Sequence, residues 1–247
     1  MISFIAMLVA IFAPIVSIVK SINERITPFR AVLHGLLTGI VGALVVMVIG
    51  QFMGMNVFDE LFVAVDEVIK KMTENPEMVA MLGDAAAVDE FAQTMTYVYE
   101  TSIKLLPSAL CIVALIASYL EYIVLSKVLR PGGIAPIPMT KMQEFDLPRR
   151  LITLWCLVYI VMLILSQSEA FADSIILMNI NALFDFAFCL QGISVIFMFC
   201  HTRKIPRAIP GVLMVLVLVF GLLKGVVMLL GFVDLLFGLK YRMKQRI

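Results

Sequence analysis

Long apolar runs separated by short polar stretches organise this chain from its first residue. Runs of about 20 apolar residues suffice to cross roughly 30 Å of hydrocarbon as helix, and five stretches qualify: Met1–Val19, Ala31–Gly54, Leu105–Ser126, Leu151–Gln167 and Ser174–Cys200. A sixth run, Ile205–Leu239, would exceed about 45 Å as one helix at about 1.5 Å per residue, too long for a simple crossing. Two glycines weaken helix around Gly221-Leu222-Leu223-Lys224-Gly225, and Lys224 there can reach headgroups. The pattern predicts a C-terminal helical hairpin broken at that point, either two short crossings or a re-entrant pair.

Between the second and third runs the period changes. Phe58, Leu61, Phe62, Val65, Val68, Ile69 and Met72 recur at helical spacing, with acids and lysines on the rest of the wheel. Asn56 is the expected N-cap, and Asp66/Lys70 and Glu67/Lys71 are favourable i,i+4 pairs. Asn75-Pro76 should end that helix, with a second starting near Asp84. Residues 55–103 thus read as an amphipathic, extracytoplasmic helical insertion. Its acidic face disfavours anionic lipid and favours covering the protein's own outer surface.

Composition supports a membrane class: 62% of the 247 residues are hydrophobic and 15% charged, against roughly 45–50% and 25% in soluble domains. Most of the 19 Lys and Arg fall in four clusters: Lys20/Arg25/Arg30, Lys127/Arg130/Lys141/Arg149/Arg150, Arg203/Lys204/Arg207 and Lys240/Arg242/Lys244/Arg246. Excess Lys and Arg mark cytoplasmic loops. Placing all four clusters on one face requires an even number of passes between Pro206 and Lys240, which is the second reason for the hairpin. The expectation is an all-α polytopic bundle of five spans plus the hairpin. It forms a single membrane domain over 1–247, with a cytoplasmic loop at 127–149 and a cytoplasmic C-terminus. Met1–Val19 lacks the basic start and cleavage site of a signal peptide, so it reads as a retained span.

With the basic residues explained by topology, no aromatic-interleaved basic face remains for nucleic acid. Cys111, Cys156, Cys189 and Cys200 all lie in apolar runs without metal-ligand spacing. No cofactor motif, metal set or catalytic constellation is present, so an enzyme is not expected.

Ionisable groups at membrane depth are costly, about 2.5–3.5 kcal/mol for Asp or Lys at a helix centre, so they are where chemistry is sought. Asp185, with Asn181 one turn before it, is the leading candidate. It is either a binding group for a cation, proton or polar solute, or an Asp held by interhelical hydrogen bonds. Gln191 completes the candidate intramembrane polar set; about 120° round the helix from Asp185, it reads more readily as helix-packing glue. Glu121 and Asp234 lie nearer helix ends, where pairing with Lys127 and Arg242 is expected. His34 reads as a hydrogen-bonded packing residue. The pairs Ala6/Ala10, Gly35/Gly39, Gly50/Gly54 and Gly221/Gly225 permit close helix approach, within the chain or to a partner.

Five stretches carry a resemblance: Tyr119-Leu120-Glu121-Tyr122; Phe145-Asp146-Leu147-Pro148-Arg149; Asn181; Gln191-Gly192-Ile193-Ser194-Val195-Ile196; and Leu230-Gly231-Phe232-Val233-Asp234, with Phe237 and Arg242. In their order and spacing the chain resembles the YybS-like bacterial membrane proteins, a domain-of-unknown-function family. That family is remotely similar to the substrate-binding membrane subunits of energy-coupling-factor transporters. The resemblance implies a bacterial cytoplasmic (inner) membrane location and a helical bundle able to hold a small solute. Members usually carry further helices before the matching region, which implies that this chain opens one or more spans late. Two functions compete: a membrane component binding a small polar solute or ion, motivated by Asp185, Asn181 and Gln191 within apolar helices, or a non-transporting scaffold or regulatory protein with a membrane partner, motivated by the repeated small-residue faces and the acidic outer segment.

Overall fold

The computed structural model describes residues 2–54, 57–130, 135–147, 149–167, 174–206 and 208–245. Asn56, Pro148, Arg207 and Arg246, which figured in the expectations above, lie outside the described residues, as do positions 131–134 of the expected cytoplasmic loop. The described residues are helical, without strands. They form two compact units, Met1–Ile137 and Pro138–Ile247.

In the first unit, α1 (Ile2–Phe12) and α2 (Pro14–Asn23) make one apolar rod interrupted at Ala13, because Pro14 starts a fresh helix. The rod packs with α3 (Pro28–Phe52) and α7 (Leu106–Val128). Small residues set the spacing. A methyl group at Gly39 would lie 2.7 Å from the Ala10 carbonyl oxygen, and one at Gly35 2.8 Å from Ser118 Oγ. Gly50 is buried, whereas Gly54 (φ +77°) ends the α3 region with no neighbour within 4 Å of a Cβ. His34 Nδ1 lies 3.2 Å from Ser21 Oγ, joining α3 to α2.

The polar insertion comprises α4 (Val57–Thr73), α5 (Pro76–Leu82) and α6 (Ala85–Lys104). Asn75 caps α5 by accepting from the Glu77 N–H, and Asp84 caps α6 by accepting from that of Ala87. Lys71 pairs with Glu67 at 3.8 Å as expected, but Lys70 turns forward to Glu74 at 3.9 Å instead of back to Asp66. The chief partner of α4 is α6, not the bundle. An apolar stripe on α6 through Val88, Phe91 and Met95 supplies a nearer surface for that of α4.

In the second unit the others gather on α9 (Ile175–Thr202): α8 (Arg149–Ser166), α10 (Ala208–Val219), α11 (Gly221–Phe237), α12 (Leu239–Lys244) and a 3-10 turn at Met142–Glu144. The C-terminal apolar run breaks at Phe220, whose backbone is extended (φ −101°, ψ 106°), so α10 and α11 are separate helices. A methyl group at Gly192 would fall 1.9 Å from the Val227 carbonyl oxygen, and one at Gly231 1.9 Å from that of Phe188. Backbone therefore meets backbone where α9 crosses α11. Above the crossing, Tyr159, Phe184, Phe188 and Phe232 pack ring against ring, with centroids 5.1 to 6.2 Å apart.

The order of contacts gives direction. Along α9, Cys189, Gln191 and Ser194 lie against, in the same order, Val227, Asp234 and Lys240 of α11 and α12. The two helices therefore run parallel, and Val217 of α10 joins Cys189, Ile193 and Val227 in one apolar cluster beside them.

Among the described residues, four helical stretches are long and apolar enough to cross a membrane: Phe4–Asn23, Pro28–Phe52, Leu106–Val128 and Ile175–Thr202.

Candidate functional site

Near the C-terminal third of α9 two polar side chains point into the second unit with no exposure at all: Gln191 and Ser194. They are one turn apart, and each meets the segment before α8. That segment closes a 3-10 turn (Phe145 N–H to the Met142 carbonyl, 3.2 Å), which leaves the carbonyls of Met142 and Phe145 each 2.8 Å from Ser194 Oγ. A hydroxyl carries one proton, so the two carbonyls share it.

Gln191 uses its whole amide. Nε2 donates to Asp146 Oδ1 at 2.9 Å and to Asp234 Oδ2 at 2.7 Å, and Oε1 accepts from the Leu147 N–H at 3.2 Å. Two carboxylate acceptors fix which end of the amide is nitrogen. Asp234, 4% exposed, also accepts from the Lys240 backbone N–H at 2.7 Å through Oδ1. That bond exists because Gly238 ends α11 in the left-handed region (φ 63°, ψ 44°), its N–H donating to the Asp234 carbonyl, and so turns α12 back over the helix end.

Lys240 follows the same turn inward. It is 6% exposed, and its ammonium donates to the Phe145 carbonyl and to Ser194 Oγ. One member of the fourth basic cluster is thus a buried structural cation, not a charge displayed at a membrane face. Asp234 likewise departs from the expected pairing with Arg242: its hydrogen bonds come from Gln191 and Lys240. Arg242 and Tyr241 instead border a hollow of about 280 Å³ whose wall includes Asp146, Asp234 and Gly238.

The sequence-derived residues separate. Gln191 is the hub of this network. Asp185 lies six residues earlier on α9, about 9 Å along the axis, is half-buried, and feels the Lys224 ammonium through space. Asn181 sits one turn before it with a buried Oδ1 that has no hydrogen-bond partner among the described residues. Neither joins the network. The same holds for Glu121 in the first unit, whose buried Oε2 finds no hydrogen-bond partner among the described residues. Asp146, Ser194 and Lys240 were missed as site residues. Asp146 and Ser194, however, lie within stretches that carry the family resemblance, and Phe145–Leu147, Gln191–Ser194 and Gly231–Asp234 converge here. Among the described residues no group of three or more His, Cys, Asp or Glu could hold a metal ion.

Residues 1–235 match the family described as "Predicted membrane protein (DUF2232)". The chain belongs to this family. In keeping with DUF2232 membership, the chain is 26% identical over 256 residues to "Uncharacterized protein YybS" of Bacillus subtilis (strain 168), an alignment covering 95% of this chain and 81% of that relative. No solved structure matches. The DUF2232 description and the four long apolar helices agree on an integral membrane protein of unknown activity.

Proposed function

We propose that this protein is a membrane-embedded binding component for a small polar solute, held in the hollow beside Asp146, Asp234 and Arg242. The observation that carries this reading is the buried amide of Gln191, which holds two carboxylates in fixed positions at the wall of a cavity. Convergent, pre-positioned polar groups around a concavity are what a small-molecule site requires. The remote resemblance of the family to substrate-binding subunits of energy-coupling-factor transporters, read from the sequence, fits this use. The small-residue faces at Gly35 and Gly39, one of the grounds for a scaffold, are covered by Ser118, Ile18, Ala10 and Pro14 of the same chain, whereas those at Gly221 and Gly225 are open.

The proposed setting is the bacterial cytoplasmic membrane, with five spans and the α10–α11 hairpin, and with basic loops and C-terminus cytoplasmic. Parallel α9 and α11 support the hairpin, because the chain must return across the same depth through α10. A thermal-shift panel of vitamins, amino acids, sugars and ions on the detergent-purified protein tests binding. At least one class should raise the melting point, and Asp146→Asn, at an exposed position, should reduce that rise. A panel without any shift would remove the solute-binding reading.

A further inference from the structure

The 3-10 turn at Met142–Glu144 and the residues that follow it to Leu147 are not α-helix, yet they lie against α9 well inside its length. The Met142 and Phe145 carbonyls rest on Ser194 Oγ, and Asp146 Oδ1 and the Leu147 N–H on the Gln191 amide. About 20 helical residues cross roughly 30 Å of hydrocarbon, and α9 has 28. Wherever that stretch falls between Ile175 and Thr202, Gln191 and Ser194 are within it. The irregular segment therefore sits at hydrocarbon depth.

Irregular backbone at that depth is tolerated only where protein covers it or water reaches it. Here each condition holds on one side. Towards the helices, Met142 packs on the apolar cluster of Cys189, Ile193, Val217 and Val227, and Ser194, Gln191 and Lys240 tie the segment down through their side chains. On the other side Glu144 and Asp146 are exposed. A carboxylate is costly against lipid, and the 2.9 Å hydrogen bond to Gln191 fixes Asp146 at the level of that residue. Water must reach the same level. Its route is the hollow of about 280 Å³, where Asp146 meets the C-terminal end of α11 at Asp234 and Gly238. Because α9 and α11 run parallel, the hollow lies towards the Thr202 end of α9. In the other direction Phe188, three residues before Gln191, is fully buried and packs against Tyr159, Phe184 and Phe232, which closes the path.

We propose that Met142–Leu147 is a re-entrant segment walling an aqueous vestibule, which opens at the Thr202 end of α9 and stops at the four aromatic rings. The loop expected over 127–149 is then a surface loop only in part. On the solute-binding reading above, on which this use of the vestibule rests, the solute enters and leaves from the Thr202 end, the cytoplasmic one in the proposed setting.

Single cysteines in a full-length chain stripped of its own four test this in inside-out and right-side-out membrane vesicles. Asp146→Cys should react with a small charged methanethiosulfonate from the same side as Lys244→Cys. Leu183→Cys, an exposed α9 position at hydrocarbon depth, should not react. A maleimide on a long polyethylene glycol chain should still label Lys244→Cys but lose Asp146→Cys, because the vestibule is narrow. Glu144→Cys, on the same turn and in none of the bonds above, should behave as Asp146→Cys does and carries the test if that variant fails to fold. Labelling of both turn positions by the long-chain maleimide as fast as Lys244→Cys would put the segment on the surface and overturn the proposal. Labelling from the side opposite to Lys244→Cys, or from neither side, overturns it too. No ligand enters these measurements, so the two readings fail separately. Loss of the labelling pattern with thermal shifts retained removes the vestibule alone, and the expected pattern with no shift across the solute panel removes solute binding alone.

Discussion

Lys240 shows how little its neighbours in sequence say about a side chain's surroundings. Four basic residues within seven positions read as a cytoplasmic topology signal, yet Lys240 is folded inward onto Ser194 and the Phe145 carbonyl while Lys244 stays exposed. The reversal depends on the left-handed backbone at Gly238, which the sequence offers as one glycine among 14. Gln191 was legible as a costly polar residue but not as a hub, because its partners lie 43 to 45 residues away on either side. Asp185 drew attention for the same reason, depth in an apolar run, and the network formed 9 Å away along the axis, as estimated at about 1.5 Å per residue. Removing a buried, hydrogen-bonded cation strands its partners. Lys240→Ala should therefore destabilise the protein by roughly 2–4 kcal/mol in denaturant titration, whereas Lys244→Ala should change it by less than about 0.5 kcal/mol. Equal effects would mean that Lys240 is not held inside.

At the scale of elements, the apolar period located the long helices well. Asn75-Pro76 marked the end of α4 and Asp84 the start of α6, local properties that sequence displays directly, whereas the short α5 that Asn75 caps from Pro76 onward was not foreseen. The crossings were less legible. Small-residue spacing singled out Gly221/Gly225, where a methyl group would meet nothing within 4 Å, and passed over Gly192 and Gly231, where it would meet backbone. A crossing joins glycines of two helices, so a search for pairs four apart on one helix does not find it. Gly192→Ala or Gly231→Ala should cost roughly 3 kcal/mol or more by forcing α9 and α11 apart. Gly225→Ala should be neutral or stabilising by up to about 1 kcal/mol through helix propensity. Melting points of the three variants in one detergent check the contrast.

For the whole molecule, the sequence supported the membrane class, and its charge map motivated a return pass before Lys240. The parallel run of α9 and α11 supplies independent support, since it arises from contacts and not from charge. In a chain stripped of its cysteines, Gln245→Cys should react with an impermeant maleimide only from the cytoplasmic side and Lys224→Cys only from the outside; labelling of position 245 from outside would sink the hairpin. The partnership of α4 with α6 was not legible, because an amphipathic stripe states that a face is covered without stating by what. The central question is whether ligand recognition belongs to the Gln191 network or to the Asp185 position that the sequence favoured. Solute-dependent thermal stabilisation, measured side by side on wild type, Asp234→Asn and Asp185→Asn, decides it most directly. Stabilisation should be present in wild type, retained in Asp185→Asn and largely lost in Asp234→Asn; loss in Asp185→Asn with retention in Asp234→Asn would contradict the site assigned here.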